Sequence, residues 1–145
     1  MTKYAYIAGP VTGLPDRNRA AFEAARVVVE RVTGAHVTIP HDFVKESDAE
    51  TTAMVLCVVA ICDTVKLGVP FFVVLLPGWR ESLGTAVEVA LARKLRVPVV
   101  ELIGEELREI DSVLLWSDKT NECPRCGNSG EHSNPGTSDK EGQRG

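Results

Sequence analysis

The sequence predicts a single α/β domain: a Rossmann-like parallel sheet with helices on both faces, followed by a disordered C-terminal tail. Three observations carry that expectation. Short runs rich in β-branched and aromatic residues alternate with longer segments whose apolar residues recur at spacings of three and four. Turn-forming pairs close two of the short runs, Gly9-Pro10 and Pro77-Gly78. Residues 117–145 contain no aliphatic or aromatic side chain, so they have no apolar area to offset the entropy of ordering.

Residues 3–8 form the first strand, ended by Gly9-Pro10, and a loop through Gly13 runs to Pro15. Residues 16–33 place Phe22, Ala25, Val29 and Val32 on one helical face, with Gly34 just past the end. Residues 36–39 alternate as a brief strand, and residues 40–45 form a loop. Ser47 and Glu50 have capping-box spacing and open a helix to about residue 67. Residues 53–62 are apolar on every side; a strand is the rival reading, but length and cap favour helix. Burying such a helix in so small a domain is simplest against a second copy of the chain. Residues 69–76 then form the central strand, 84–95 a helix and 97–103 another strand. Leu107, Ile110 and Leu114 mark a last amphipathic helix ending near Trp116.

Composition narrows the function classes. At 145 residues the chain has room for one domain. A net charge of −4 gives no electrostatic footing for non-specific nucleic-acid binding. The N-terminus enters a strand almost at once, with no long apolar signal core, and the longest apolar run, residues 53–62, is too short to span a bilayer. A cytoplasmic protein without a membrane partner is expected. Its four cysteines are then free thiols or metal ligands rather than disulfides.

The stretch Ser82-Leu83-Gly84-Thr85-Ala86-Val87-Glu88 lies where the central strand hands over to the next helix. In a parallel sheet that handover is at the carboxyl edge, where ligands bind, and the free N–H groups of the first helical turn favour an anion. Glu88 lies four residues after Gly84, on the same helix face and one turn deeper. A carboxylate there can meet the sugar of a phosphorylated ligand; the residue type alone equally describes a solvated helix glutamate.

These motifs together resemble a known group. Tyr6-Ile7-Ala8-Gly9-Pro10 with Gly13 and Asn18, then Asp63, then Leu76-Pro77-Gly78-Trp79, then Ser82, Gly84 and Glu88 look like the nucleoside 2-deoxyribosyltransferase superfamily. The likeness is greatest to its small phage and bacterial members that begin with Tyr-Ile-Ala-Gly-Pro, and it covers roughly residues 3–103. The transferases carry Gly-Thr-Ala-x-Glu, which Gly84-Thr85-Ala86-Val87-Glu88 matches, and the 2-deoxynucleoside 5-phosphate N-hydrolases carry Ser-Leu-Gly, which Ser82-Leu83-Gly84 matches. The resemblance implies that Glu88 is the nucleophile at the anomeric carbon and that Asp63 is the second carboxylate. It implies also that Tyr6 positions sugar and nucleophile, and that Ser82 contacts phosphate. Gly9, Pro10, Gly13 and Asn18 belong to the implied substrate loop, and His41 falls near a loop that borders the base pocket in relatives. As bare residues, His41 also reads as a solvated loop histidine and Asp63 as a surface carboxylate beside Lys66.

Two departures bear on the site. Thr12 stands where the hydrolases place an arginine, which leaves phosphate to backbone N–H groups or to Arg17 or Arg19. The relatives' sites are completed by a residue of a neighbouring subunit near the C-terminus, for which Ser112 is the candidate here.

N-glycosidic cleavage passes through an oxocarbenium-like state. One carboxylate below the sugar forms a covalent glycosyl-enzyme, and a second near the departing base handles the proton. The expected function is hydrolysis of a nucleoside or deoxynucleoside 5-monophosphate by Glu88 and Asp63, with no cofactor, in a homodimer or higher homo-oligomer. Base exchange between nucleosides and non-catalytic nucleotide binding are the alternatives. Trp79 either stacks on a nucleobase or packs over the sheet edge. Cys123 and Cys126 form one half of a zinc ribbon, with His132 as a third ligand, or else two free thiols on a mobile tail. Cys57 and Cys62 read as core packing.

Overall fold

The computed structural model describes residues 1–110. The expectations for the tail and for Ser112, Cys123, Cys126 and His132 lie outside the described residues. Five strands form one sheet in the order β2-β1-β3-β4-β5: β1 Tyr4–Ala8, β2 His36–Thr38, β3 Phe71–Leu75, β4 Val99–Ile103 and β5 Glu106–Glu109. The first four are parallel, with β1 matched to β3 from Tyr4 opposite Phe71 to Ala8 opposite Leu75. Helix α1, Arg19–Thr33, connects β1 to β2; α2, Glu50–Lys66, connects β2 to β3; α3, Leu83–Lys94, connects β3 to β4.

Strand side chains alternate between faces, and the two faces are covered differently. Ala5, Ile7, Val74, Leu76 and Leu102 share one face and are buried with Phe22, Ala25 and Val29 of α1. Tyr6, Ala8, Val73 and Leu75 point the other way, where Cys57 and Ile61 of α2 and Glu88, Val89 and Ala92 of α3 are buried. This is the Rossmann-like α/β arrangement that the alternation of elements predicts. Gly34 ends α1 at φ +73°, its N–H bonded to the Glu30 carbonyl, as a left-handed helix stop requires.

Four expectations are corrected. Helix α1 starts at Arg19 rather than residue 16, because Asp16, Arg17 and Asn18 are all left-handed, at φ +48°, +54° and +59°. Helix α2 starts at Glu50, and its cap residue Ala49 makes no side-chain cap. The Ser47 capping box does not form: Asp48 Oδ2 instead accepts the Lys45 N–H at 2.8 Å and closes a local turn. The sheet is not wholly parallel. In place of the last helix around Leu107, β5 runs antiparallel to β4 behind a two-residue turn, with Ile103 opposite Glu106. Gly104 occupies the first turn position at φ +63°, which a tight hairpin of the II′ kind needs.

The strand order fixes where a ligand can sit. From β1 the chain turns toward β2, and from β3 it turns the opposite way toward β4, so a crevice opens outside the carboxyl ends of β1 and β3. Among the described residues, no helix is long and apolar enough to cross a membrane.

Candidate active site

At that crevice the two strands leave in tight contact. The Leu76 N–H bonds the Ala8 carbonyl at 3.0 Å, and a Cβ on Gly9 would lie 2.9 Å from that of Leu76. Only glycine fits there, and the chain then diverges to frame a cleft of about 790 Å³. Its walls come from the β1–α1 loop, the β2–α2 loop, the start of α2 and the start of α3.

Glu88 projects from α3 into the cleft and is only 5% exposed. The Tyr6 hydroxyl, from β1, donates to its Oε2 at 2.5 Å. Burial lifts the Glu88 carboxyl from 4.5 to about 7, while hydrogen bonds from Tyr6 and Cys57 pull the other way. Burial, reinforced by the neighbouring carboxylate, holds the Tyr6 hydroxyl well above its ordinary 10, and burial pushes the Cys57 thiol up to about 12. The cluster therefore sets the neutral Tyr6 hydroxyl and Cys57 thiol beside a carboxyl group whose burial raises it to about 7. That is the state of a group able to act as nucleophile or proton carrier near pH 7.

The rim supplies polar groups of another kind. Ser82 caps α3, its Oγ accepting from the Thr85 N–H at 3.2 Å and the Thr85 hydroxyl at 3.0 Å. The N–H groups of Leu83 and Gly84, in the first turn, have no partner within the helix, and both residues line the cleft. Gly84 lets α2 approach: the Met54 sulfur is 3.7 Å from where its Cβ would be. Thr12 donates to Glu50 Oε2 at 2.6 Å, joining the first loop to the start of α2. Glu50, Met54, Cys57 and Ile61, at spacings of four, three and four, form one stripe of α2 that runs from the rim into the core.

The left-handed turn at residues 16–18 costs on the order of 1–2 kcal/mol per residue. It is held in place from three sides. The Asn18 amide donates to the Pro10 carbonyl at 3.0 Å, Arg17 reaches the Val44 carbonyl at 3.5 Å, and His41 Nε2 donates to the Arg17 carbonyl at 2.8 Å. His41 is packed on Phe22 with ring centroids 4.8 Å apart, and burial lowers its pKa, which favours the neutral ring. The turn brings Arg17 to the cleft wall, next to His41 and Lys45.

The structure thus brings together Glu88 and Tyr6, with Gly9, Pro10, Gly13, His41, Ser82 and Gly84 around them. Three predicted residues lie elsewhere. Asp63 is exposed and outside the cleft, because six residues beyond Cys57 carry it roughly 240° around α2. Trp79 is 6% exposed and does not line the cleft: its indole N–H donates to Glu101 Oε2 at 3.2 Å and the Arg80 guanidinium lies 4.4 Å from its ring. It ties the β3–α3 turn to β4, as the sheet-edge reading has it. Asn18 supports the loop rather than lining the cleft. Of the two candidate arginines, Arg17 lines the cleft, and Arg19 pairs with Asp16 at 3.7 Å on the surface. Sequence reasoning missed Cys57, Glu50 and Met54 as site residues; the spacing of the α2 stripe is the signal that could have found them. Among the described residues there is no cluster of three or more His, Cys, Asp or Glu able to hold a metal ion.

No curated protein and no solved structure matches the chain. The family described as Domain of unknown function (DUF4406) matches residues 3–101, which takes in every strand and helix that frames the cleft up to Glu101 of β4, and the chain belongs to that family.

Proposed function

We propose that the protein cleaves the N-glycosidic bond of a nucleoside 5′-monophosphate, with Glu88 attacking the anomeric carbon to form a covalent glycosyl-enzyme that water then resolves. The observation that carries this reading is a buried carboxyl group, bonded by Tyr6, on the same helix whose first turn offers Ser82 and two free N–H groups. Glu88 follows the cap by six residues, about 9 Å along the axis, and helical side chains lean toward the N-terminus. That separation suits a phosphate at the helix end and a sugar over the carboxylate. Arg17 adds a positive charge to the same wall. With Asp63 outside the cleft, Glu50 is the carboxylate on the α2 stripe nearest the rim; Thr12 holds it there, and it takes the proton-handling role in this reading.

A second reading, transfer of the deoxyribosyl group to another base, shares the Glu88 intermediate. The carboxylates of Glu46, Asp48, Glu50 and Glu81 favour it, since they line the cleft and suit an uncharged nucleoside better than a dianion. We also propose a homodimer through α2, where Val55 and Val59 are exposed on one face at 60% and 45%.

A panel of ribo- and deoxyribonucleosides and their 5′-monophosphates, followed by chromatography for free base, tests the reading. Release of base from a monophosphate, abolished by several orders of magnitude in Glu88→Gln with binding within about tenfold, is expected. The rate should fall as pH drops below about 7, because only the ionised Glu88 attacks. Activity retained in Glu88→Gln overturns the mechanism, and a rate that falls above pH 7 makes Glu88 the acid instead. Nucleotide binding with no base released on long incubation makes this a binding protein.

A further inference from the structure

The strained turn at residues 16–18 sends one residue to the cleft wall, Arg17, while Asp16 and Asn18 do not line the cleft. Among the described residues no carboxylate pairs with the Arg17 guanidinium, its Nε is enclosed without a partner, and its hydrogen bond to the Val44 carbonyl is long at 3.5 Å. The arginine therefore does little to hold the turn; the turn holds the arginine. Strained backbone that presents an unpaired cation at a cleft is a feature kept for function.

The grip on the middle of the turn comes from His41, whose Nε2 meets the Arg17 carbonyl at 2.8 Å. A carbonyl only accepts, so Nε2 carries the proton and Nδ1 of the neutral ring is bare. Nδ1 is closed off from water and has no partner among the described residues, in a ring that is 9% exposed and tilted against Phe22. A second proton would enter a place with no acceptor. The charges facing the ring do not favour it either. They are Arg17 and Arg19 from the turn and the start of α1, Glu23 from α1, and Asp42 from the loop of His41 itself. Both carboxylates are already engaged by Arg26, Asp42 at 2.9 Å and Glu23 at 3.3 Å.

We propose that His41 is a positioning residue: its neutral ring clasps the Arg17 carbonyl and keeps that arginine on the cleft wall, and protonation of the ring releases the turn and withdraws the cation from the site. The clasped ring resists the proton, whereas the freed ring accepts it at the ordinary 6.5 of a histidine. Falling pH below that value thus drives the turn open, and well above it the clasp is unaffected. Relief of the left-handed backbone adds to the opening.

The consequence for binding rests on the reading of the cleft as a 5′-monophosphate site, so one readout must not need a ligand. Imidazole ¹⁵N signals, with His41 assigned by through-bond correlation to its backbone, report tautomer and midpoint in the full chain, and the backbone amides of Arg17 and Asn18 report the turn. The Nε2–H form is expected at neutral pH, with a midpoint below that of a free histidine and both amides moving with it. In His41→Gln, whose amide can donate where Nε2 does and takes up no proton, that movement should vanish. A His41 ring that titrates as a free histidine, or amides that stay still through its midpoint, overturns the proposal, and neither observation depends on the variant folding. For binding, Glu88→Gln serves as host, since it leaves the substrate intact and removes the Glu88 titration. From about pH 7.5 to about pH 5.5 its affinity for a deoxynucleoside 5′-monophosphate should fall about three- to tenfold further than that of the same protein carrying His41→Gln, a comparison that cancels the protonation of the phosphate itself. The matching nucleoside should show no such difference. Equal falls in the two proteins overturn the proposal. If no nucleotide binds at any pH, the proposed function fails and the amide titration alone decides whether the clasp exists.

Discussion

Replacing Glu88 by glutamine should stabilise the protein in alkaline solution and not in acid. In the folded chain the carboxyl group titrates near 7, and in the unfolded chain it returns to about 4.5. The folded state thus binds the proton more tightly, and ionising Glu88 costs stability as pH rises. The penalty is absent below the unfolded value, accumulates between the two, and is complete above about 7. At about 1.4 kcal/mol per pKa unit the full penalty is about 3 kcal/mol, with little discount for solvent because the group is enclosed. Glutamine never pays it. Its carbonyl can still accept from Tyr6, while its enclosed amide group adds a pH-independent cost of about 1 kcal/mol. The variant should therefore be slightly less stable than the parent near pH 5 and more stable by about 2 kcal/mol near pH 8.5. Urea unfolding followed by fluorescence reads the difference, with the buried Trp79 as reporter, and comparing the two proteins at each pH cancels every other titrating group. A stability difference that is the same at both pH values refutes the reasoning, because it would mean that Glu88 ionises in the folded protein as it does in water.

Two further outcomes are expected. Ser82→Ala removes the cap of α3, at about 1 kcal/mol, and should weaken 5′-monophosphates far more than the matching nucleosides; equal losses on both would show that Ser82 does not read phosphate. Placing lysine at both Val55 and Val59 should convert the proposed dimer to monomer by light scattering, whereas an unaltered protein that is already monomeric at micromolar concentration removes the proposed interface.

The frame of the site was legible because it depends on strong, repeated signals. The apolar run through Phe71–Leu75, its Pro77-Gly78 stop and the Ala-rich start of α3 together place Glu88 at the sheet's carboxyl edge. Tyr6 entered through the resemblance alone, because the register that sets β1 beside β3 is a matter of strand pairing. What escaped depends on single contacts or on rotation. The side chain of Asp48 finds the Lys45 N–H before any cap at Ser47 can form. Helical spacing at Leu107 and Ile110 gave way to a strand once Gly104 closed a two-residue turn, since one apolar residue among Glu106–Glu109 enforces neither period. Asp63 and Cys57 lie on one helix that is apolar all round, so the pattern does not say which face turns inward; packing of Met54 against Gly84 decides it. No sequence signal marks three successive left-handed residues at Asp16, Arg17 and Asn18, which persist because Pro10, Val44 and His41 hold them.

The margins of the sheet limit how copies of this chain can assemble. One border is β2, three residues long with His36 exposed; the other is β5, whose Glu106, Arg108 and Glu109 are exposed and charged. A short edge and a charged edge are both poor templates for a strand from another molecule. Growth by sheet continuation, the route to filaments and to amyloid-like aggregates, is therefore closed at both ends among the described residues. Among the described residues, the helical faces are what the proposed self-association has left to use, and contacts there are finite, so a two-fold arrangement closes on itself.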